Sequence, residues 1–465
     1  MAYQQSRSFT ISEIAIFGRN NKSFDITKLC TNFYYIEDIQ KPYLQGALNV
    51  VDSAGLINTL PISGGEKIRI SLTDGNANQQ GEKITYNFTV WSIKSRVVRG
   101  KAQTYILGLI SEEALTNEVA RVQTTLKDKP EAIISKLLKE DLSSKKEYFS
   151  EDSQFSVIFN GGKRRPFDIG GILAARAIPK TATIPTTTTS SSSTSSSNVT
   201  NIKGSAGYYF WETRKGFNFY SVDTLLKEDE DRPPWGPYVE RVANVDDSDD
   251  TYKIIKCDFK SEIDILTNLR GGKYSSLMVF FNPSTGKYSE YKYSLQDSYS
   301  NMSHLGSAGL AKVPASEKEL SEFPSKIISE VLDHETWFTG GDIASIDEGD
   351  GGEQPTPYAD WQKYFFAQSI ARYESMKNQE CIITIPGNTL MCAGEKIDIR
   401  LRNKVPNHIE KDEPDDIESS GIYLIRTVTH SFSITKGIQG DFTTTLQLIR
   451  DSYGKLDKTS AHDSE

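Results

Sequence analysis

Cysteine and histidine are scarce in this chain: its 465 residues include 4 Cys and 5 His. The cysteines, Cys30, Cys257, Cys381 and Cys392, form no C-x-x-C pair, and no histidine clusters with them. A structural zinc site needs closely spaced thiolate or imidazole ligands, so no metal is expected. Cys381 and Cys392 flank a Pro-Gly turn and could meet across a hairpin, but buried free thiols are the expected state for a chain made in a reducing cytosol. No run of 18 apolar residues occurs, which leaves no candidate membrane span and no membrane insertion expected. The opening Met1-Ala2-Tyr3-Gln4-Gln5 lacks the charged start and apolar core of a signal peptide.

Motifs that carry chemistry are also missing. There is no G-x-x-x-x-G-K-S/T phosphate cradle, and Gly204-Ser205-Ala206-Gly207 and Gly306-Ser307-Ala308-Gly309 lack the G-x-S-x-G nucleophile elbow. The acidic runs Asp246–Asp250 and Asp347–Glu353 lack the ligand spacing and glycine of an EF-hand loop and read as solvated loops. His430, alone in the strand-like run Tyr423–Phe432, reads as a structural hydrogen-bonding residue rather than a base. No catalytic residue and no cofactor are therefore expected, although sequence does not position the two carboxylates that a glycosidase would need.

What the chain has is β-forming text. It holds 22 Tyr and 21 Phe with 25% charged residues, a globular balance, and its length suggests roughly three domains. The net charge of −9 argues against a broad phosphate-neutralising surface for nucleic acid. A repeat stands out. Leu60-Pro61-Ile62-Ser63-Gly64 leads into Gly65-Glu66-Lys67-Ile68-Arg69-Ile70-Ser71-Leu72, and Ile385-Pro386-Gly387-Asn388 leads into Gly394-Glu395-Lys396-Ile397-Asp398-Ile399-Arg400-Leu401. Six of the eight residues in the Gly-Glu-Lys-Ile segments are identical. The copies close on Leu107-Gly108-Leu109-Ile110-Ser111 and Leu446-Gln447-Leu448-Ile449-Arg450. Three matched features in one order predict a duplicated β unit.

Residues 1–111 predict six strands, at Phe24–Leu29, Asn32–Ile39, Gln45–Val51, Lys67–Leu72, Ile84–Ile93 and Gln103–Ile110, in an antiparallel sandwich or barrel. Beyond Ser111 the pattern changes to mixed α and β. Helices are expected after Asp128 with Pro130 in the first turn, after Phe167-Asp168, over Glu262–Leu269, over Pro324–Leu332, and over Ala359–Met376 with Trp361, Phe365, Ala367 and Ile370 near one side. Hairpins are expected at Tyr208–Glu212 with Gly216–Asp223, and at Ser275–Phe281 with Lys287–Tyr293. The aromatics of the first hairpin fit core strands better than a stacking platform for single-stranded nucleic acid, given the acidic text after them. The Ser/Thr-rich segment 180–204 reads as a disordered surface loop, because it cannot bury enough apolar surface to offset its ordering.

Several separate stretches carry a resemblance. Lys41-Pro42-Tyr43-Leu44-Gln45-Gly46, Arg165-Pro166-Phe167-Asp168, Phe210-Trp211-Glu212 with Gly216-Phe217-Asn218-Phe219, and Ile385-Pro386-Gly387-Asn388 with Gly394-Glu395 occur in that order. They are followed by Ser420-Gly421-Ile422-Tyr423-Leu424-Ile425, Val428-Thr429-His430 and Arg450-Asp451-Ser452-Tyr453-Gly454. In these the chain resembles the central baseplate hub protein of contractile-tailed bacteriophages, a family related to the hub half of type VI secretion spikes. The Ser/Thr loop and the long segment before Ala359 depart from that family.

The resemblance implies a mainly β protein with an α+β middle domain and two tail-tube-like antiparallel β-barrel or sandwich units in one chain. By it, residues 1–111 form the first unit, and 259–296 with 379–452 form the second. The segments 112–258 and 297–378 form the middle domain, and 453–465 a C-terminal tail. Pro42, Gly46, Gly65, Pro386, Gly387, Gly394, Gly421, His430 and Arg450 become structural turn or signature positions. The implied function is a virion structural hub, assembled in the host cytoplasm into the tail baseplate. As a homotrimer it would form a pseudo-hexameric ring between the sixfold tail tube and the trimeric central spike. Implied partners are the spike, the tail tube or a tube-initiator protein, the tape measure protein and the surrounding baseplate wedge proteins. DNA would pass through the lumen without specific binding. The alternatives are a tail-associated peptidoglycan hydrolase and a receptor- or carbohydrate-binding tail-tip protein.

Overall fold

The structure, a computed structural model, describes residues 8–18, 22–60, 62–74, 83–100, 102–182, 204–240, 252–261, 264–282, 286–307, 320–331, 338–339, 357–402, 416–434 and 439–454. Most of the Ser/Thr-rich segment, the acidic runs at 246–250 and 347–353 and nearly all of the C-terminal tail lie outside these residues.

The first β unit contains β1 (Ser8–Phe17), β2 (Cys30–Asp38), β3 (Gln45–Asp52), β4 (Lys67–Asp74), β5 (Lys83–Arg99) and β6 (Ala102–Ile110). Inward positions are apolar at every second residue, as Ile68, Ile70 and Leu72 on β4 and Ile84, Tyr86 and Phe88 on β5 show. β1 was not expected. A register shift between Ile11 and Glu13 interrupts its alternation, so the strand hides from a period-two reading. Conversely, Phe24–Leu29 holds only a three-residue strand, Ser23–Asp25, before a short 3-10 turn.

The middle of the chain holds α1 (Glu112–Val119), α2 (Pro130–Lys136), α3 (Pro166–Arg176) and the hairpin of β7 (Tyr208–Thr213) and β8 (Gly216–Ser221). Pro130 and Pro166 each sit in a first helical turn, where their missing N–H costs nothing. Their apolar faces join Phe210, Phe217 and Phe219 in one core. β9 (Trp235–Glu240) and β10 (Lys256–Ser261) follow, then α4 (Ile265–Gly271). β11 (Ser275–Asn282) and β12 (Lys287–Ser294) form the expected hairpin, but it pairs with β13 (Lys326–Val331) in a sheet of its own and not with the second β unit. Residues 326–331 are therefore a strand and not the expected helix. Ile327, Ile328 and Val331 are β-branched residues in a parallel register with β11, and this pairing wins over the Pro324 start signal. Helix α5 (Pro357–Ser375) buries Phe365, Ala367 and Ala371; the side chain of Trp361 lies outside the described residues.

The second unit is completed by β14 (Gln379–Pro386), β15 (Lys396–Arg400), β16 (Gly421–Ile434) and β17 (Gln439–Arg450). Five strands of each unit share one order, all antiparallel: β4–β5–β6–β3–β2 in the first and β15–β16–β17–β14–β10 in the second. Through the first four strands the register agrees residue by residue. Lys67 pairs with Thr89, Thr89 with Ile110 and Ile110 with Gln45; Lys396 pairs with Leu424, Leu424 with Ile449 and Ile449 with Glu380. One irregularity coincides, a bulge between Val90 and Ser92 in one unit and between Ile425 and Thr427 in the other, whereas the shift between Lys94 and Val97 has no counterpart and the fifth strands bulge at different places. The fold is thus mainly β with two antiparallel β units in one chain.

The sixth strands differ. β1 joins β4 antiparallel, whereas β9 joins β15 parallel. The units are also fused, because the β16–β17 hairpin outruns its own barrel. Beyond the bulge, Thr427–Ser433 pairs with β2 and Gln439–Asp441 with β1, closing the first barrel.

Candidate assembly site at the junction of the two β units

The tip of the β16–β17 hairpin carries Phe432, Ile434 and Phe442 into the core of the first barrel. Phe432 stacks on Phe442 at 4.4 Å and on Phe33 at 5.5 Å, and meets Phe9 edge-on at 5.1 Å. His430, also on β16, lies parallel to Tyr35 at 5.7 Å and shares a 3.0 Å hydrogen bond with the Thr444 hydroxyl. Burial pushes its imidazole down to about 3, so the ring is neutral and enclosed.

The β7–β8 hairpin wedges against both barrels. The Trp211 indole donates to the Ala393 carbonyl at 3.0 Å, beside Gly394, whose φ is +89°. A Cβ at position 394 would lie 2.5 Å from the Trp211 ring. Below it, Glu37 of β2 accepts from the Tyr35 hydroxyl at 2.6 Å and from the N–H groups of Arg214 at 2.7 Å and Ala393 at 2.8 Å. One carboxylate so joins the first barrel, the hairpin and the second barrel. Burial pushes it up to about 7, against the pull of those three donors. At the rim, Glu395 receives Lys215 at 3.0 Å and the Trp235 indole at 2.7 Å.

Two further buried networks hold the middle domain. Glu212 accepts from Lys146 at 2.5 Å, from the Ser111 hydroxyl at 2.7 Å and from the Leu44 N–H at 3.2 Å, while Lys146 also reaches Glu113 at 2.5 Å. Burial raises the Glu212 carboxyl, and Lys146 opposes the rise. On α5, Arg372 contacts Asp451 and Asp223, each at 3.0 Å, and Asp451 also meets His304 at 2.6 Å. Although burial works against its charged form, the His304 hydrogen bond and the Arg372 charge hold the Asp451 carboxyl well below the usual carboxylate range.

The residues singled out in the sequence fall into a few places. Pro42 lines a shallow groove with Tyr43, Arg165, Phe167 and Phe210, so three of the resembling stretches converge between the first barrel and the middle domain. Gly46 and Gly421 lie in β3 and β16, and Gly65 opens the turn into β4 at φ +91°. Pro386 ends β14, and Gly387 lies so close to the Phe442 ring that a Cβ there would be 2.0 Å away. Arg450 is fully buried over the Tyr423 ring at 4.4 Å and donates to Gln379 and to the Ser420 carbonyl. These positions do not meet at one cleft. Glu37, Glu212, Arg372 and Asp451 were not singled out as interacting groups, and only the charged types inside apolar text could have marked them. Cys30, Cys257, Cys381 and Cys392 form no disulfide. Among the described residues no group of three His, Cys, Asp or Glu could hold a metal, and no helix is long and apolar enough to cross a membrane.

No family model and no curated protein matches the chain. Solved structures do. A tail protein from Neisseria meningitidis MC58 is similar at 10% identity and TM-score 0.49, covering 95% of this chain and 97% of its own. The 43 kDa tail protein of prophage MuSo2 from Shewanella oneidensis is similar at 9% identity and TM-score 0.47, with 95% and 99% covered. The E. coli c3393 protein, a component of the type VI secretion system, is similar at 10% identity and TM-score 0.40, with 91% and 75% covered. These similar structures are two tail proteins and a type VI secretion component.

Proposed function

We propose that this protein is a structural hub of a phage tail baseplate and not an enzyme, and that it works as a homotrimer. Each chain carries two β units of one strand order, so three chains present six units in a ring. Such a ring offers a pseudo-sixfold face to a tail tube and a threefold face to a trimeric spike. The observation that carries this reading is the strand order shared by β4–β5–β6–β3–β2 and β15–β16–β17–β14–β10, with one register through the first four strands and a common bulge. Two units that merely shared a fold class would have no reason to keep the same pairing and the same irregularity.

In this reading the first unit comprises residues 8–110, completed by the β16–β17 tip. The second comprises 235–261 with 379–450, and the middle domain takes the rest. Its partners are the spike, the tube or its initiator, the tape measure protein and the wedge proteins, and DNA crosses the lumen without specific contacts. The net charge of −9 suits a wall that DNA passes without adhering. His430, enclosed and neutral, is not available as a base for the rival hydrolase reading.

The test is the mass of the purified protein in solution, alone and co-purified with the spike protein of the same particle. A trimer in either sample is expected, and a monomer in both refutes the proposal. Turnover of purified peptidoglycan, abolished by one carboxylate substitution, would establish the hydrolase instead.

A further inference from the structure

The β5–β6 hairpin of the first unit is the counterpart of the β16–β17 hairpin, yet its tip is bare. Lys67–Thr73 of β4 pairs with Lys83–Thr89 of β5, and Gly65 and Glu66 add two main-chain hydrogen bonds to Val90 before the pairing ends. From Trp91 to Arg99 one edge of β5 has no strand beside it among the described residues. Trp91, Ile93, Val97 and Val98 stand exposed there, Val98 at 61%. An open, apolar edge strand is a template for further pairing, and a protein that left it uncovered would risk aggregation.

The second unit has the matching vacancy. In the first unit, β2 receives the β16 extension along Asn32–Asp38. Its counterpart is β10, since β3 pairs with β2 as β14 pairs with β10. The outer edge of Lys256–Ser261 is the end of the sheet among the described residues, with Phe259 exposed on it and Ile255 just before it. One chain therefore shows a donor hairpin seated on its acceptor, and also one free donor and one free acceptor of the same kinds. The free pair belongs to different units of a fused body, and no described strand of the chain covers either edge.

We propose that the Trp91–Arg99 edge of one copy adds antiparallel to the Lys256–Ser261 edge of the next, completing the second barrel as β16 completes the first. The occupant is a second copy of this chain, identified by the intramolecular joint itself. The contact is head-to-tail, so a suitable rotation closes it into a ring of identical joints. Main-chain hydrogen bonds supply the contact, and side chains at alternate positions set its register. This inference rests on the trimeric reading and names the surface that would build it.

The experiment uses the full chain. In V97D/V98D the charges fall on exposed positions, so far-UV circular dichroism and thermal unfolding should match the wild type while the solution mass falls to that of a monomer. In a second protein, V97C is introduced with Cys30, Cys381 and Cys392 changed to serine, and a short bismaleimide is added. Cross-linking to the native Cys257 of a neighbour should give covalent dimers and trimers on a denaturing gel, and none in V97C/C257S. A wild-type trimer that survives V97D/V98D, or that yields only monomer after cross-linking, overturns this inference and leaves the trimeric hub standing. A wild-type monomer with and without the spike removes both.

Discussion

Gly65 and Gly394 occupy the same place in the two units, immediately before Glu-Lys-Ile, and both have positive φ, +91° and +89°. Their surroundings differ. A Cβ at 65 would meet nothing within 4 Å, whereas one at 394 would lie 2.5 Å from Cζ2 of Trp211 and 3.1 Å from Cε2. Replacing each by alanine separates two costs that are usually mixed. Gly65→Ala should lose only the backbone preference, about 1–2 kcal/mol. Gly394→Ala adds the steric conflict, and the Trp211 ring cannot yield cheaply because its indole is tied to the Ala393 carbonyl at 3.0 Å and the ring is buried. Overpacking of this sort costs about 1–3 kcal/mol more, for a total of about 2–5. Urea unfolding at fixed protein concentration, followed by far-UV circular dichroism and by tryptophan emission, gives both values from the midpoints and slopes. Equal losses for the two variants would refute the claim that the hairpin is wedged against the second barrel at Gly394. So would a Gly394→Ala protein that keeps wild-type tryptophan emission.

Three other outcomes are expected. Glu37 has its carboxyl pushed from 4.5 up to about 7, so between those pH values the folded state holds a proton that the unfolded state has released, and stability falls as pH rises. The gap corresponds to about 3 kcal/mol, present below pH 4.5 and lost above pH 7, so the stability difference between Glu37→Gln and wild type should change by that amount across the window. Arg372 is enclosed with Asp223 and Asp451, and Arg372→Met strands two carboxylates, for a loss of about 3–5 kcal/mol that Asp451→Asn in the same chain should partly restore, both read from urea midpoints. Phe432→Ala removes the ring seated between Phe33 and Phe442, and should cost about 3–5 kcal/mol by the same measurement while leaving the second barrel's β15 amides protected from hydrogen exchange.

Sequence revealed the repeat because a strand pair with a tight entry turn writes itself locally: glycine for the turn, then apolar residues at every second place. It revealed the β7–β8 hairpin for the same reason, and its aromatics lie in the core as Phe217 and Phe219 show. It missed β1, where the bulge after Ile11 breaks the period. It read Lys326–Val331 as helix because a proline start signal outweighed three β-branched residues whose partner strand lies far back in the chain. The joint could not be read at all. Glu37 meets Arg214 and Ala393 across 177 and 356 residues of sequence, and no local pattern announces a contact of that span. Nor does anything in Gly421–Ile434 say that half the strand serves one barrel and half the other, since apolar alternation looks the same whichever core it enters.

The buried charges gather where the chain must fix an angle. Each barrel has a large apolar interior, and burying ion pairs is an inefficient way to gain stability, because desolvation offsets most of the attraction. Glu37, Glu212 with Lys146, and Arg372 with Asp451 all lie at contacts between one part of the chain and another. A purely apolar contact tolerates sliding by a residue, whereas a carboxylate that needs three donors, or an arginine that needs two carboxylates, is satisfied in one arrangement only. In the proposed ring the angle between the two units would matter more than the stability of either, because any error would recur at every joint. The shared hairpin sets that angle through covalent continuity and main-chain pairing, and the Trp211–Gly394 contact holds the wedge beside it.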